Sequence, residues 1–257
     1  MLQRCEVIIS DNQFVFKKQH PTYLCLYAFK ETVSYYVEHG SPGFACFLDA
    51  SKAFDRVRVN HWTLFKKLLE IKILVYVVHT LVNWYGKQLY YVRWGSVISS
   101  AFHVTNGVRQ VGIFSLILFN IYIDELNRIL GHCNVGLCLP PNGLFLNNFS
   151  FADDISLISP SSVGLRKLLK ICEQYALEND IIYNTQKSVC MVFQPTSFKL
   201  PSPPSVHLNG NVLKYVDSYI YLGHILKSNQ SYNEDMMRHR YLCIRKTCFY
   251  ANLSLVH

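Results

Sequence analysis

The feature of this sequence that most constrains its fold is the segment NNFSFADDISLIS at residues 147–159. Apolar residues flank an Ala-Asp-Asp tripeptide, which favours two short strands, Phe149–Phe151 and Ile155–Ile158, joined by a tight Ala-Asp turn. Such a hairpin is antiparallel and carries the carboxylates of Asp153 and Asp154 at its tip. The chain is therefore predicted to contain an antiparallel sheet with a pair of acids at one edge.

A further acidic position follows a second apolar run, because Phe44–Leu48 reads as a buried strand that ends at Asp49. Burying three carboxylates in an apolar core is unfavourable, since an unpaired buried charge costs free energy. Divalent cations remove that cost, and two Mg²⁺ ions about 3.5–4 Å apart are the arrangement used for nucleotidyl transfer. The residues alone leave another interpretation open, in which Ala-Asp-Asp is a polar turn and Asp49 is a helix cap.

The rest of the chain is predicted to alternate helices and strands. Asn60 is placed to cap a helix over residues 61–71. The predicted faces of this helix are Trp62, Phe65 and Leu69 toward the core and Lys66, Lys67 and Glu70 toward solvent. A long apolar helix is predicted at Ile113–Ile129. Another helix begins near Ser162, with an apolar stripe of Leu165, Leu168, Cys172 and Tyr175.

Further strands complete the predicted fold class. They are Gln88–Arg93, Ile98–Thr105, Ser188–Phe193, and a hairpin of Val206–Leu208 with Val212–Lys214 around Asn209-Gly210. The order of strands and helices, with an acidic hairpin in the middle, predicts an α+β fold in which helices cover an antiparallel sheet. Proline-rich breaks at residues 139–143 and 200–210 predict extended connections or turns.

Composition narrows the functional classes. A hydrophobic content of 50% with 14% aromatic residues excludes general disorder. The formal net charge of +8 suits a polyanionic partner. Neither long apolar run is long enough to span a bilayer and no secretory signal is visible, so an intracellular location, cytoplasmic or nuclear, without a membrane partner is expected.

The cysteine pattern indicates structural thiols. The nine cysteines include no CxxC pair, and their apolar neighbours predict buried, reduced side chains. A zinc site of His239, Cys243, Cys248 and His257 is a weak alternative because it lacks the usual finger spacing.

Five segments, in this order along the chain, resemble the reverse transcriptase of non-long-terminal-repeat (LINE-type) retrotransposons. The resemblance extends from about Asp11 to about Arg245. The segments are FLDASKAFDRV, NGVRQVGIFSLILFNIYIDEL, NNFSFADDISLIS, YNTQKSVCMVF and VDSYIYLGHIL.

The resemblance implies a role for each matching residue. Asp49, Asp153 and Asp154 resemble the three metal-binding aspartates, and the backbone carbonyl of Ala50 resembles a further ligand. Phe54 is similar to the aromatic gate that excludes a ribose 2′-hydroxyl, although a core phenylalanine is the alternative.

Other matches concern the nucleotide and the primer. Arg109 and Gln110 resemble the family residues that contact the incoming nucleotide and the template. Lys187 matches a lysine near the triphosphate, a candidate proton donor to pyrophosphate, with a solvated surface lysine as the alternative. The segment Tyr221-Leu222-Gly223 resembles the hairpin that grips the primer.

The resemblance also implies a right-hand polymerase that extends a DNA 3′ end on an RNA template, using deoxynucleoside triphosphates and two Mg²⁺ ions (or Mn²⁺). Residues 1–226 would be the reverse transcriptase domain. Its parts would be fingers at about 1–44 and 57–105, palm at about 45–56 and 106–200, primer-grip hairpin at 205–226 and the start of a thumb at 227–257. Oligomeric state is open.

Three positions depart from the family pattern. Val15 and Val111 stand where the family has glycines, and Leu116 replaces a helix-starting proline. A β-branched residue at 111 would project into the nucleotide site or forbid the backbone conformation that glycine allows. The resemblance further implies that the chain begins inside the fingers and ends early in the thumb. Together these departures predict weakened turnover with the metal-binding carboxylates retained.

Other functions therefore stay open. One is a retroelement remnant that binds nucleic acid without catalysis, and another is an unstable product with no function. A two-metal nuclease is less well supported, because no further acidic cluster or histidine base accompanies the three aspartates. The candidate contacts of a non-catalytic binder are the basic residues Lys17, Lys18, Lys66, Lys67, Arg93 and Arg109.

Overall fold

The computed structural model describes residues 10, 12–14, 22–50, 61–103, 113–139, 144–195 and 202–239. Five helices lie in these ranges: α1 (Thr22–Glu38), α2 (His61–Glu70), α3 (Val75–Gly86), α4 (Ile113–Gly131) and α5 (Ser162–Glu178). Residues 233–239 are also helical. Within these ranges no helix is both long enough and apolar enough to cross a membrane.

The strands form one central sheet and several short hairpins. The central sheet has the order β11-β8-β1-β7-β6, with only the β11–β8 pair parallel. Its strands are β1 (Gly43–Asp49), β6 (Asn148–Phe151), β7 (Asp154–Ser159), β8 (Val189–Phe193) and β11 (Lys214–Tyr215). The hairpins are β2 (Arg93–Trp94) with β3 (Val97–Ile98), β4 (Leu137–Leu139) with β5 (Leu144–Leu146), β9 (His207–Leu208) with β10 (Asn211–Val212), and β12 (Ser218–Tyr221) with β13 (His224–Lys227). The predicted α+β class with an antiparallel-rich sheet is confirmed.

Both faces of the central sheet are buried, which explains the continuous apolar run of β1. Alternate side chains point to opposite faces of a strand. Phe44, Cys46 and Leu48 pack into a core that includes residues of α2, α4 and α5. Ala45 and Phe47 pack into a second core with residues of α1 and of the β12–β13 hairpin. The sheet is therefore the middle of three layers.

Several sequence predictions are confirmed with small shifts. The helix predicted from Ile113 is α4, and the stripe of α5 is buried as expected. The cap of α5 is Ser161, one residue before the predicted Ser162, since the hydroxyl of Ser161 accepts a hydrogen bond from the Gly164 N–H at 3.1 Å. The Asn209-Gly210 turn has positive φ at both residues, as a two-residue hairpin loop requires.

The predicted faces of α2 are correct at Phe65, Lys66 and Glu70 and wrong at Trp62, Lys67 and Leu69. Trp62 is 80% exposed and Leu69 is also exposed, whereas Leu64, Phe65, Lys67 and Leu68 are buried. The reason is that α2 packs against α4 and that Lys67 has polar partners there. The Lys67 ammonium donates to the Tyr122 carbonyl at 3.3 Å and to the Tyr175 hydroxyl at 2.7 Å, and it pairs with Glu125 at 2.5 Å. Lys67 is thus not available as a nucleic-acid contact.

Replacing Lys67 by methionine is expected to lower the free energy of unfolding by about 1–3 kcal/mol, because the Tyr122 carbonyl and the Tyr175 hydroxyl lose a charged donor. Urea denaturation measures the change. Lys66→Met is the matched control, since the Lys66 side chain is 76% exposed and pairs with Glu70 on its own helix. Equal stability of the two variants would contradict a stabilising role for the buried ammonium.

Helix α1, helix α3, the helical segment 233–239 and the β4–β5 hairpin were not predicted. Helix α1 carries its buried residues Cys25, Leu26, Phe29 and Val33 at helical spacing, a signal present in the sequence but mixed with aromatic and β-branched residues that favour strands. The β4–β5 hairpin brackets the predicted turn at 139–143. Four of the six cysteines in the described part of the chain are buried and all six are free thiols, in line with the prediction of reduced, structural side chains.

Candidate active site

Strand pairing brings two of the three predicted aspartates face to face. Asp49, the last residue of β1, is the Cα partner of Asp154, the first residue of β7. Directly opposed residues of an antiparallel pair point to the same face, with Cβ atoms about 4.5–5.5 Å apart. The two carboxylates therefore share one end of one sheet face. Asp153 occupies the adjoining turn, because Phe151 pairs with Asp154 and leaves only Ala152 and Asp153 between the strands.

The turn that carries Asp153 has an unusual backbone. Ala152 has a φ of +57°, a left-handed conformation that an alanine rarely adopts. Such a conformation persists where surrounding structure enforces it, and strained residues cluster at functional sites. Here β6 and β7 enforce it by pairing on both sides of the two-residue turn. The strained turn holds Asp153 next to Asp154.

The end of β1 is held by the segment before β8. The Asp49 N–H donates to the Ser188 hydroxyl at 3.1 Å, and the Asn184 N–H donates to the Asp49 carbonyl at 2.8 Å. Ala50 forms an antiparallel bridge with Tyr183. Sequence reasoning missed Ser188 and Asn184 as supports of Asp49. Their location in YNTQKSV, just before a predicted strand, was the available signal.

The surroundings of Asp153 and Asp154 raise the pKa of both carboxyl groups. The pKa of Asp154 rises from 3.8 to about 6, chiefly through burial and then through the charges of Asp153 and Asp49. Burial, and to a lesser degree the charge of Asp49, also raises the pKa of Asp153. Within the described ranges no basic side chain lies within 4.0 Å of these carboxylates. Asp49, Asp153 and Asp154 thus lie together at one end of the sheet without a basic partner in this part of the chain, but their carboxylate oxygens do not converge into a preformed metal site.

The raised pKa values give metal-free protein a definite pH dependence. A raised folded-state pKa contributes stability that is fully present below the ordinary value near 4 and is lost as the pH rises through about 6. A divalent cation bound at the carboxylates would offset the loss by neutralising them. We expect the Mg²⁺-induced increase in Tm to grow between about pH 5 and about pH 7.5. Thermal unfolding with EDTA or Mg²⁺ measures it, and an increase that is the same at both pH values would contradict the coupling.

The β12–β13 hairpin lies beside the acidic cluster. Tyr219 stacks on Phe47 of β1 with ring centroids 4.6 Å apart. Burial, followed by the charges of Asp154 and Asp49, raises the pKa of Tyr219 to about 12. Tyr221 is fully buried, and its hydroxyl lies 3.1 Å from the Ser156 hydroxyl of β7. The tyrosines thus fix the hairpin against the strands that carry Asp49 and Asp154.

The turn of this hairpin consists of Leu222 and Gly223, both with positive φ. Of the predicted primer-grip residues, Tyr221 is the buried last residue of β12, whereas Leu222 and Gly223 form the tip of the hairpin. Contact of that tip with a primer stays a prediction.

Lys187 lies at the same end of the sheet as Asp49. Strand β8 pairs with β1 so that Val189 is opposite Phe47. This register ends at Phe47, since Ala50 is bridged to Tyr183, and Lys187 lies in the turn between Tyr183 and β8. The Lys187 side chain is exposed, and its backbone N–H is bonded to Asn184 in the turn before β8. Its role as a proton donor stays a prediction.

The remaining predicted positions lie outside the described residues. These are Phe54, Arg109, Gln110, the departures Val15 and Val111, and the zinc candidates Cys243, Cys248 and His257. Leu116 lies in α4.

Comparison with known proteins decides the family. The profile described as "Reverse transcriptase (RNA-dependent DNA polymerase)" matches residues 1–226. The chain belongs to the reverse transcriptase family. The resemblance found in the five sequence segments is thereby confirmed.

This reverse transcriptase chain is similar in sequence to proteins encoded by mobile elements. It is 24% identical over 223 residues to the RNA-directed DNA polymerase from mobile element jockey of Drosophila funebris, covering 83% of this chain and 23% of the relative. It is 24% identical over 185 residues to the Pol polyprotein from type-1 retrotransposable element R2 of Popillia japonica, covering 68% of this chain and 29% of the relative. The chain thus spans about a quarter of the length of these relatives.

Among solved structures, the chain is similar to telomerase from Candida albicans in complex with a fragment of telomeric RNA. The TM-score is 0.40 with 17% identity, covering 80% of this chain and 34% of that chain.

Proposed function

We propose that this chain is the polymerase domain of a non-LTR retrotransposon, which extends a DNA 3′ end on an RNA template by two-metal nucleotidyl transfer. The observation that carries the proposal is the register that pairs Asp49 with Asp154, together with Asp153 in the adjoining turn. Family membership supplies the reaction class, and the acidic cluster supplies a set of donors suited to it.

Each residue of the site has a proposed task. Asp49, Asp153 and Asp154 hold two Mg²⁺ ions, with the Ala50 carbonyl as a further ligand. When bound, these ions lower the pKa of the attacking 3′-hydroxyl and neutralise charge on the departing pyrophosphate. Lys187, at the same end of the sheet, donates a proton to the pyrophosphate. The Leu222-Gly223 turn contacts the primer.

Two further roles are proposed for residues that lie outside the described ranges. Phe54 excludes the ribose 2′-hydroxyl, and Arg109 with Gln110 contacts the incoming nucleotide and the template. The division into fingers (1–44 and 57–105), palm (45–56 and 106–200), primer-grip hairpin (205–226) and thumb (from 227) belongs to the same proposal. In support, all three aspartates and strands β6, β7 and β8 of the central sheet fall within the proposed palm, and residues 205–226 include both the β9–β10 hairpin and the tip of β12–β13.

Primer extension on poly(rA)/oligo(dT) with Mg²⁺ or Mn²⁺ tests the proposal. Product formation by the chain, lost in Asp153→Asn, supports polymerase activity. Absence of product under both metals, from a folded chain that binds primer–template, would overturn catalysis and leave binding as the function.

Val111→Gly is expected to raise primer extension by about tenfold or more, because a glycine restores backbone freedom and removes a branched side chain at a position that contacts the nucleotide in the family. Val97→Gly is a matched control, since Val97 is exposed on the β2–β3 hairpin. An unchanged rate in Val111→Gly would show that position 111 does not limit turnover.

A second candidate function is nucleic-acid binding without catalysis, which the valine at position 111 specifically favours. Lys66 and Arg93 are exposed and available for phosphate contacts, whereas Lys67 is buried. Affinity that falls steeply with salt, without extension in either wild type or Val111→Gly, would identify this function.

A further inference from the structure

A second group of metal-binding side chains lies away from the aspartates. His224 is the first residue of β13, while Asp235 and His239 are four residues apart on the helical segment 233–239. The Nδ1 atom of His224 is 2.9 Å from Oδ2 of Asp235, and Nε2 of His239 is 3.6 Å from Oδ1. One ligand atom from each of the three residues lies within 4.8 Å of the others.

These distances suit a first-row divalent cation. Zinc binds imidazole nitrogen at about 2.0–2.1 Å and carboxylate oxygen at about 2.0–2.2 Å, so neighbouring ligand atoms of a tetrahedral site are about 3.3 Å apart. The two separations to Asp235, 2.9 and 3.6 Å, lie on either side of that value, and side-chain rotations would bring the two histidines to it. Two imidazoles and one carboxylate form the donor set of many three-residue metal sites, with solvent in the remaining positions.

The surroundings orient the donors as a metal site requires. Asp235 is buried, and its Oδ1 atom accepts a hydrogen bond of 2.7 Å from the Ile225 N–H, which fixes the carboxylate. The Nε2 atom of His239 is buried without a hydrogen-bond partner among the described residues, since 3.6 Å to Asp235 exceeds hydrogen-bond length. A metal ion bound by both side chains would explain why a buried ring nitrogen faces a fixed carboxylate.

The simpler explanation is a salt-bridge cluster that fastens the helix to the hairpin. Lys30 contributes to it, with its ammonium 3.9 Å from Oδ2 of Asp235 and 4.5 Å from the centre of the Tyr232 ring. The His224 and His239 rings stack with centroids 4.2 Å apart. Only a cluster that acts as a metal site would bind a transition metal selectively.

We propose that His224, Asp235 and His239 form a binding site for a first-row divalent cation such as Zn²⁺, separate from the three aspartates. The bound cation would fasten the β12–β13 hairpin to the helix that follows it. Because Tyr219 and Tyr221 of this hairpin pack against β1 and β7, the site stabilises the surroundings of the aspartates without joining them. The inference is independent of polymerase activity.

Metal titration of the full chain tests the site. The protein is stripped with EDTA, dialysed and kept in excess Mg²⁺, which occupies the aspartates, and is then titrated with Zn²⁺ and with Co²⁺. We expect one tight equivalent, an increase in Tm, and a Co²⁺ spectrum without thiolate charge transfer. His224→Gln and His239→Gln should each weaken binding at least about tenfold. His79→Gln, an exposed histidine on α3, should leave it unchanged.

Two more variants separate this site from its alternatives. Lys30→Met should strengthen Zn²⁺ binding about fivefold or more, because it removes a competing charge near Asp235. A Cys243→Ser, Cys248→Ser double variant should retain binding. The proposal is overturned if both histidine variants bind like wild type, if the cysteine variant loses binding, or if the stripped chain takes up no Zn²⁺. The Tm values of the metal-free variants show whether each is folded, and the Lys30→Met variant keeps all three ligands.

Discussion

Asp154→Asn is expected to reduce primer extension by about 1000-fold or more, because the carboxylate opposite Asp49 is needed to hold a metal ion at the reacting atoms. The same change should stabilise the metal-free protein. An amide carries no charge to bury between Asp153 and Asp49, and burial together with these two acids is what raises the pKa of Asp154 to about 6. Loss of activity with a gain in metal-free stability distinguishes a metal site from a structural turn.

The measurements are primer extension, Mn²⁺ binding followed by electron paramagnetic resonance, and Tm in EDTA. The last two report on the site even where turnover is slow. Asp180→Asn is the matched control, since Asp180 is exposed and has a positive φ that asparagine tolerates. If Asp154→Asn bound Mn²⁺ like wild type and melted at a lower temperature, the polar-turn interpretation would be correct.

The hairpin that carries Asp153 and Asp154 could be predicted from sequence because its signals are local. Two apolar runs, a short polar turn and the strand ending at Asp49 are each visible within a few residues. The pairing of Asp49 with Asp154 was not visible, because it depends on register between strands about 100 positions apart in the chain. Family resemblance supplied that link, and strand geometry then explained it.

The wrong prediction for Lys67 and the missed helix α1 have a common physical cause. Lys67 was assigned to solvent by its charge, yet contacts from α4 and α5 bury it and provide its partners. Helix α1 was missed because its helical spacing competes with residues that favour strands, and packing on the sheet decides the outcome. In both cases residues distant in sequence outweigh the local pattern.

Phe29→Ala is expected to lower the free energy of unfolding by about 3–5 kcal/mol, the largest stability change among the substitutions considered, because it deletes a fully buried ring. Phe29 joins α1 to the sheet and to the hairpin. Its ring centroid lies 5.6 Å from that of Phe47, 5.7 Å from those of Phe149 and Tyr221, and 6.0 Å from that of Phe193. A cavity there would loosen four strands at once.

The effect of Phe29→Ala should extend to the site. Tyr221 packs on Phe29 and also reaches Ser156 of β7, so a cavity beside Tyr221 frees the β12–β13 hairpin from the strand that carries Asp154. We expect faster amide hydrogen exchange at residues 218–227 in addition to the lower stability. Tyr27→Ala, at an exposed position of the same helix, should change stability by less than about 0.5 kcal/mol. Equal exchange at 218–227 in the two variants would show that the hairpin is held in place independently of α1.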